Sequence, residues 1–329
     1  LVQSLALQQR AGFAWAVEIV LNRRIWRLRL FAQGMMEIFQ QSSLMKIKNS
    51  HDLHLRLPAG YWQELLRHCD RTGESHSHVI RAALAEYLDI QHHTLWQVST
   101  STAVLEGVSD GCLRVSDLRE HGDFGIGTFD RLDGEGILLN GQCWQARADG
   151  SLREVPDEEL TPFFVVTHFH PDQTHQFLNL NGWQDLCDRL DSLRPTNNLF
   201  MAIRVQGVFE QIQLRTMSLS EQGENLLSAA SHQVEFDHQN LSGTMVGFWS
   251  PSYASSLNIP GYHFHFVSDD LRHGGHVLDQ SAVLSADVNV ELQLESDLRL
   301  ALPQTNAFME ADLSRDPTAL LSVAEALSE

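Results

Sequence analysis

The stretch Gly261-Tyr262-His263-Phe264-His265-Phe266-Val267-Ser268 leaves few ways to fold. Aromatic and β-branched residues dominate Tyr262 to Val267, so it reads as a strand. Alternate side chains of a strand face opposite ways. His263 and His265 therefore share one face, while Tyr262, Phe264 and Phe266 take the other. Asp269 to Gly275 is polar and ends in Gly-Gly, which lets the chain turn back. That turn brings His276 in on the next strand, with His273 left in the loop. Three neutral nitrogen ligands with an open position are the usual form of a catalytic zinc site. The plainer reading is two solvent-facing histidines and one loop histidine.

Other segments read less specifically. Trp96 to Val98 and Pro162 to Thr167 read as strands, and Ser101 and Ser116 as caps of short helices. His121 to Phe129 is rich in glycine and reads as a loop; it lacks the spacing of a dinucleotide fingerprint. Gly136 to Val155 reads as a meander with hairpin turns at Asn140-Gly141 and Asp149-Gly150. Glu135 sits between Gly134 and Gly136, where a carboxylate can approach a ligand; an ordinary turn acid has the same spacing. Asn181 to Leu193 reads as a helix with an apolar stripe. Leu199 to Val205 and Val208 to Leu214 read as two strands, the second followed by Arg215 on a polar face with Gln211 and Gln213. Such an arginine is either a carboxylate clamp or a surface residue. Val277 to Leu302 reads as paired strands, and Asp316 to Ala326 as a terminal helix carrying Glu325. His168-Phe169-His170-Pro171-Asp172-Gln173-Thr174-His175 approaches the HxHxDH pattern of metallo-β-lactamase-like hydrolases, but Gln173 stands where the last histidine belongs.

Charge divides the chain. Residues 1–95 carry eleven Lys/Arg against eight Asp/Glu, whereas the whole chain has a net charge of -19. The acidic remainder is ill suited to nucleic acid. Cys69, Cys112, Cys143 and Cys187 form no CxxC pair and read as reduced thiols of a cytoplasmic protein. No apolar run is long enough to span a membrane. Residues 1–50 are expected to be a poorly ordered extension or an overlong start. Arg23, Arg24, Arg27 and Arg29 interleaved with Ile25, Trp26, Leu28 and Leu30 suit a basic amphipathic helix as the alternative. Residues 51–92 combine an alternating strand (Asp52 to Pro58), a helix (Tyr61 to Cys69), Thr72-Gly73, and a second helix (Val79 to Leu88) for which Ser75 or Ser77 is a cap. This segment resembles the ribbon-helix-helix family of small DNA-binding dimers. The resemblance implies DNA contacts from His54 and Arg56, or dimerisation alone.

Residues 94–329 resemble the α-acetolactate decarboxylase family. The resemblance rests on His121 to Phe129, Leu132 to Glu135, Thr161-Pro162-Phe163, Gly243 to Pro251 and, above all, Pro260 to Asp279. It implies an α+β fold, with two sheet-containing parts and the metal in the cleft between them, here preceded by the ribbon-helix-helix-like segment. It implies a homodimer, Zn²⁺ on His263, His265 and His276, and functional roles for Glu135, Arg215 and Glu325, with Glu329 a weaker choice. The implied activity is conversion of α-acetolactate to acetoin and carbon dioxide through a metal-stabilised enediolate, in acetoin and butanediol biosynthesis. Two other readings stay open. One is a cupin-type metal oxygenase, which His263-x-His265 on a strand also suits. The other is a DNA-binding regulator whose metal domain senses a metabolite, against which the presence of Glu135 and Arg215 argues.

Overall fold

The computed structural model describes residues 16–21, 24–29, 54–73, 75–88, 93–278, 283–314, 317 and 320–321. The chain divides into two compact units, residues 1–51 and 52–329. In the first, β1 (Ala16–Leu21) pairs antiparallel with β2 (Arg24–Arg29). This corrects the basic-helix reading of Arg24–Arg29. Val17, Ile19, Val20 and Ile25 are β-branched, and they favour a hairpin over the basic helix.

The second unit begins with two helices, α1 (Ala59–Thr72) and α2 (His76–Leu88). Gly73 ends α1 in the left-handed conformation, with its N–H donated to Cys69 O, and Ser75 Oγ accepts from His78 N at the start of α2. Residues 54–58 of the expected strand form no ladder within this chain, and Leu55 and Leu57 are exposed. A lone strand has no partner for its backbone groups. His54 and Arg56 lie there, exposed. Arg81 on α2 forms an ion pair with Asp172, and the His78 and His93 rings lie 4.3 Å apart.

The remaining elements follow in order. They are β3 (Thr94–Val98), α3 (Ser101–Leu105), β4 (Leu113–Arg114), α4 (Val115–Arg119), β5 (Phe124–Thr128), β6 (Glu135–Leu139), β7 (Gln142–Ala146), β8 (Leu152–Glu154), β9 (Leu160–Thr161), β10 (Phe163–Thr167), β11 (Gln173–Leu178), α5 (Gly182–Leu193), β12 (Phe200–Thr216), α6 (Leu226–Ala230), β13 (Val234–Ser250), β14 (Gly261–Ser268), β15 (Gly274–Val277), β16 (Val283–Glu295), β17 (Asp297–Ala301) and α7 (Asn306–Glu310). A seven-stranded sheet has the order β17-β3-β10-β5-β6-β7-β8; a six-stranded sheet has the order β11-β16-β12-β13-β14-β15. β15 also pairs with β12, so the second sheet closes on itself.

Side-chain alternation sorts the core into three layers. Leu95, Ile126, Ile137, Phe163 and Val165 of the first sheet meet Ala202, Val246, Phe248 and Val267 of the second. The outer face of the second sheet packs Phe264, Phe266 and Ile203 against Leu186 and Leu190 of α5. The outer face of the first packs Trp96, Phe164 and Val166 against Val115 and Leu118 of α4. Burial of this kind gives about 25 cal/mol per Å² of apolar surface and is the main force holding the sheets together.

Several expectations need correction. The glycine-rich run is a central strand, β5, not a loop. Its glycines make room for a neighbour: a Cβ on Gly127 or Gly136 would run into the buried Phe164 ring. The two expected strands at 199–214 are one bent strand, β12. Met201, Ile203, Val205 and Phe209 are buried before a bulge in its pairing with β16, and Ile212 and Leu214 after it. The parity of the residues facing the outer apolar layer changes from odd to even, which turns Arg215 away from that layer and inward. β16 and β17 do not pair with one another. The chain crosses at Ser296 from one sheet to the other, where β17 lies parallel to β3. Thr100, not Ser101, caps α3 by accepting from Ala103 N, and α4 starts after Arg114 without a side-chain cap. Asn140-Gly141 is the two-residue turn expected, with both residues at positive φ. Asp149-Gly150 belongs to a wider turn closed by Arg147 N to Ser151 O, with only Gly150 left-handed. The terminal helix with Glu325 and Glu329 lies outside the described residues, apart from Pro317, Leu320 and Leu321.

Candidate active site

Ladder register assembles the site. On β14, His263 and His265 face inward, with Phe264 and Phe266 locked in the layer behind. Across the β14–β15 pair His265 stands opposite His276, and across the β15–β12 pair His276 stands opposite Arg215. Residues directly opposite in a ladder present their side chains on one face, about 5 Å apart. Closure of the second sheet thus turns three sequence-distant residues into a row.

The three histidines have ligand atoms within 4.8 Å of one another, and all three are buried. His263 Nε2 lies 3.1 Å from His276 Nδ1. Burial, with Arg215 adding to it, pushes the His263 imidazole down to about 3 and holds His276 well below its ordinary value. Both are therefore neutral, the form that binds metal. His265 Nδ1 lies 2.8 Å from Gly136 O. A carbonyl only accepts, so that nitrogen carries the proton and Nε2 presents its lone pair to the cluster. Donor set, tautomer and protonation all suit a transition-metal ion. Among the described residues this is the one group of three or more such side chains close enough to hold a metal. The histidine-rich run at 168–175 does not converge: His168 O accepts from Gln293, and Asp172 is taken by Arg81.

Glu135 enters from the first sheet. It opens β6, is 6% exposed, and its Oε2 lies 3.4 Å from His265 Nε2. Arg215 is 5% exposed and donates from Nη1 to Gln233 Oε1 at 2.8 Å. The three histidines, Glu135 and Arg215 line a cavity of about 70 Å³ between the sheets, walled by Val104, Leu132, Phe163, Met217 and Ile259. Leu321 also lines it. Five of the six predicted catalytic and metal-binding residues thus meet in one cavity; Glu325 lies outside the described residues. The apolar wall and Gln233 were missed in the sequence. The wall comes from five separate segments with no common spacing, and the one local sign of Gln233 is the polar pair Gln233-x-Glu235 opening a strand.

Two sheets packed face to face around a buried cluster of three histidines, a glutamate and an arginine define an α+β protein with a candidate metal centre in a small internal cavity. The alpha-acetolactate decarboxylase family profile matches residues 95–315. The chain is 41% identical over 223 residues to an alpha-acetolactate decarboxylase of Methanosarcina mazei, covering 68% of this chain and 76% of that one. It is 37% identical over 250 residues to one of Methylococcus capsulatus, covering 76% and 95%. The crystal structure of alpha-acetolactate decarboxylase from Bacillus subtilis superposes with a TM-score of 0.68 at 37% identity, over 71% of this chain and 100% of that one. The chain belongs to the alpha-acetolactate decarboxylase family, and it is an enzyme of that carboxy-lyase class. Nothing in these matches supports the oxygenase or regulator readings.

Proposed function

We propose that this chain converts α-acetolactate to acetoin and carbon dioxide with zinc held by His263, His265 and His276. The observation that carries the reading is the row His265–His276–Arg215 across adjoining strands, with Glu135 reaching it from the other sheet. Three neutral imidazoles and an open position favour zinc. Zinc held by these histidines would supply Lewis-acid stabilisation of the charge that develops on the substrate oxygens.

The chain's own residues do the rest. Arg215 holds an oxygen anion of the substrate by charge-assisted hydrogen bonds. The C–C electron pair released with carbon dioxide passes into the enediolate, and Glu135 gives the carbon a proton that it regains from water, so the net reaction consumes one proton. Glu325 is proposed as the second acid, completing the site from the tail. Val104, Leu132 and Phe163 receive the methyl groups and exclude water. Exclusion of water strengthens every charge interaction at the reacting carbon.

Purified metal-replete protein incubated with racemic α-acetolactate is expected to release acetoin. Glu135→Gln is expected to lower kcat by about 10²–10⁴-fold. No acetoin from folded, metal-replete protein refutes the reading. As part of the same proposal, α1 and α2 join two chains into a homodimer, with DNA contact through His54 and Arg56. Sedimentation and a salt-dependent gel shift test the two parts separately.

A further inference from the structure

We propose that Gln233 is a positioning residue for Arg215, and that Glu235 acts through it. The inference rests on the anion-holding role given to Arg215 above. Gln233 Oε1 accepts from Arg215 Nη1 at 2.8 Å, and Gln233 Nε2 donates to Glu235 Oε1 at 3.2 Å. Glu235 Oε2 in turn accepts from Gln213 Nε2 at 3.1 Å. The chemistry fixes which way the amide points. A guanidinium only donates and a carboxylate only accepts, so Gln233 must turn its oxygen to Arg215 and its nitrogen to Glu235.

The register explains why an intermediary is needed. Glu235 stands opposite Arg215 across the β12–β13 pair, on the same side of the sheet. A direct carboxylate contact would cancel the charge of Arg215 and compete with an anionic substrate. Gln213 and Gln233 engage both Glu235 oxygens instead. Arg215 Nη1 is thereby held by a neutral amide, which fixes the direction of that edge of the guanidinium. Gln233 lies just before β13 and Arg215 one residue before the end of β12, so the relay also ties the cavity wall to the strand ends.

The test is steady-state kinetics on zinc-loaded protein with α-acetolactate. Gln233→Leu is expected to raise KM about tenfold with kcat changed less than threefold. Gln233→Glu is isosteric, serves where the leucine variant does not fold, and is expected to raise KM by a similar factor because it sets a carboxylate on Arg215 and removes the donor to Glu235. In an Arg215→Met background, Gln233→Glu is expected to raise KM no further. Wild-type KM in Gln233→Glu overturns the relay, as does an undiminished KM increase in the Arg215→Met background. Wild-type kinetics in Arg215→Met alone instead removes the role of Arg215 on which the relay depends.

Discussion

Gly136→Ala probes the joint between fold and chemistry. The α-carbon of Gly136 lies under the Phe164 ring, and a Cβ built there would meet Phe164 Cε2 at 2.6 Å and Gly127 O at 3.1 Å. Phe164 is fully buried and packs edge-on against Phe129, so the ring has nowhere to retreat. Overpacking of this kind costs about 1–3 kcal/mol. In a domain of this size that lowers Tm by about 2–12 °C. The same residue supplies the carbonyl that fixes the His265 tautomer. Moving a group that orients a metal-binding histidine costs about 10–100-fold in metal affinity. Gly125→Ala is the comparison, because its Cβ would strike Val165 O and Val166 Cγ1 on the same strand neighbour but touches no ligand. Thermal unfolding by circular dichroism and zinc competition against a chelator read the two effects. Both variants should lose stability, and only Gly136→Ala should lose about tenfold or more in zinc affinity. Wild-type zinc affinity in Gly136→Ala, with Tm lowered, would refute the coupling.

Other expectations follow from the same structure. Burial raises the Glu295 carboxyl from 4.5 to about 8, with Thr167 and Gln293 opposing the shift by hydrogen bonds. An acid whose folded pKa is raised binds its proton more tightly when folded, so its contribution falls as pH rises from about 4.5 to 8. Glu295→Gln should flatten that part of the stability–pH profile, measured by urea unfolding; an unchanged slope would contradict it. Leu190→Ala removes a fully buried side chain between α5 and the second sheet, and should cost about 2–5 kcal/mol in the same assay. Gly141→Ala forces a side chain into left-handed backbone in the β6–β7 turn and should cost about 1–2 kcal/mol with unchanged kcat.

Much of the site was legible because its signal is local. The alternation in Tyr262 to Val267 fixed which histidines share a face, and Gly274-Gly275 marked the return that carries His276. Asn140-Gly141 likewise carries its own turn chemistry. What failed to show depends on distant partners. Gly125 and Gly127 look like loop residues until Phe164 and Val166, far along the chain, are seen to fill the space above them. β12 looked like two strands because its apolar parity breaks at the bulge, and that break is what turns Arg215 inward. β17 alternates like a hairpin arm, yet it leaves β16 to lie beside β3, a choice no local pattern encodes. The Arg-rich stretch at 24–29 has a period that suits a helix or a strand, and its pairing with β1 decided between them.

The central claim is that the histidines aligned by closure of the second sheet are the catalytic metal centre. Zinc titration of metal-stripped protein, with acetoin formation as the readout, tests it most directly. The account predicts no acetoin without metal, a rise to a plateau at one zinc per chain, and no recovery in His263→Ala at saturating zinc. Full activity in the stripped protein, or in zinc-saturated His263→Ala, would contradict it.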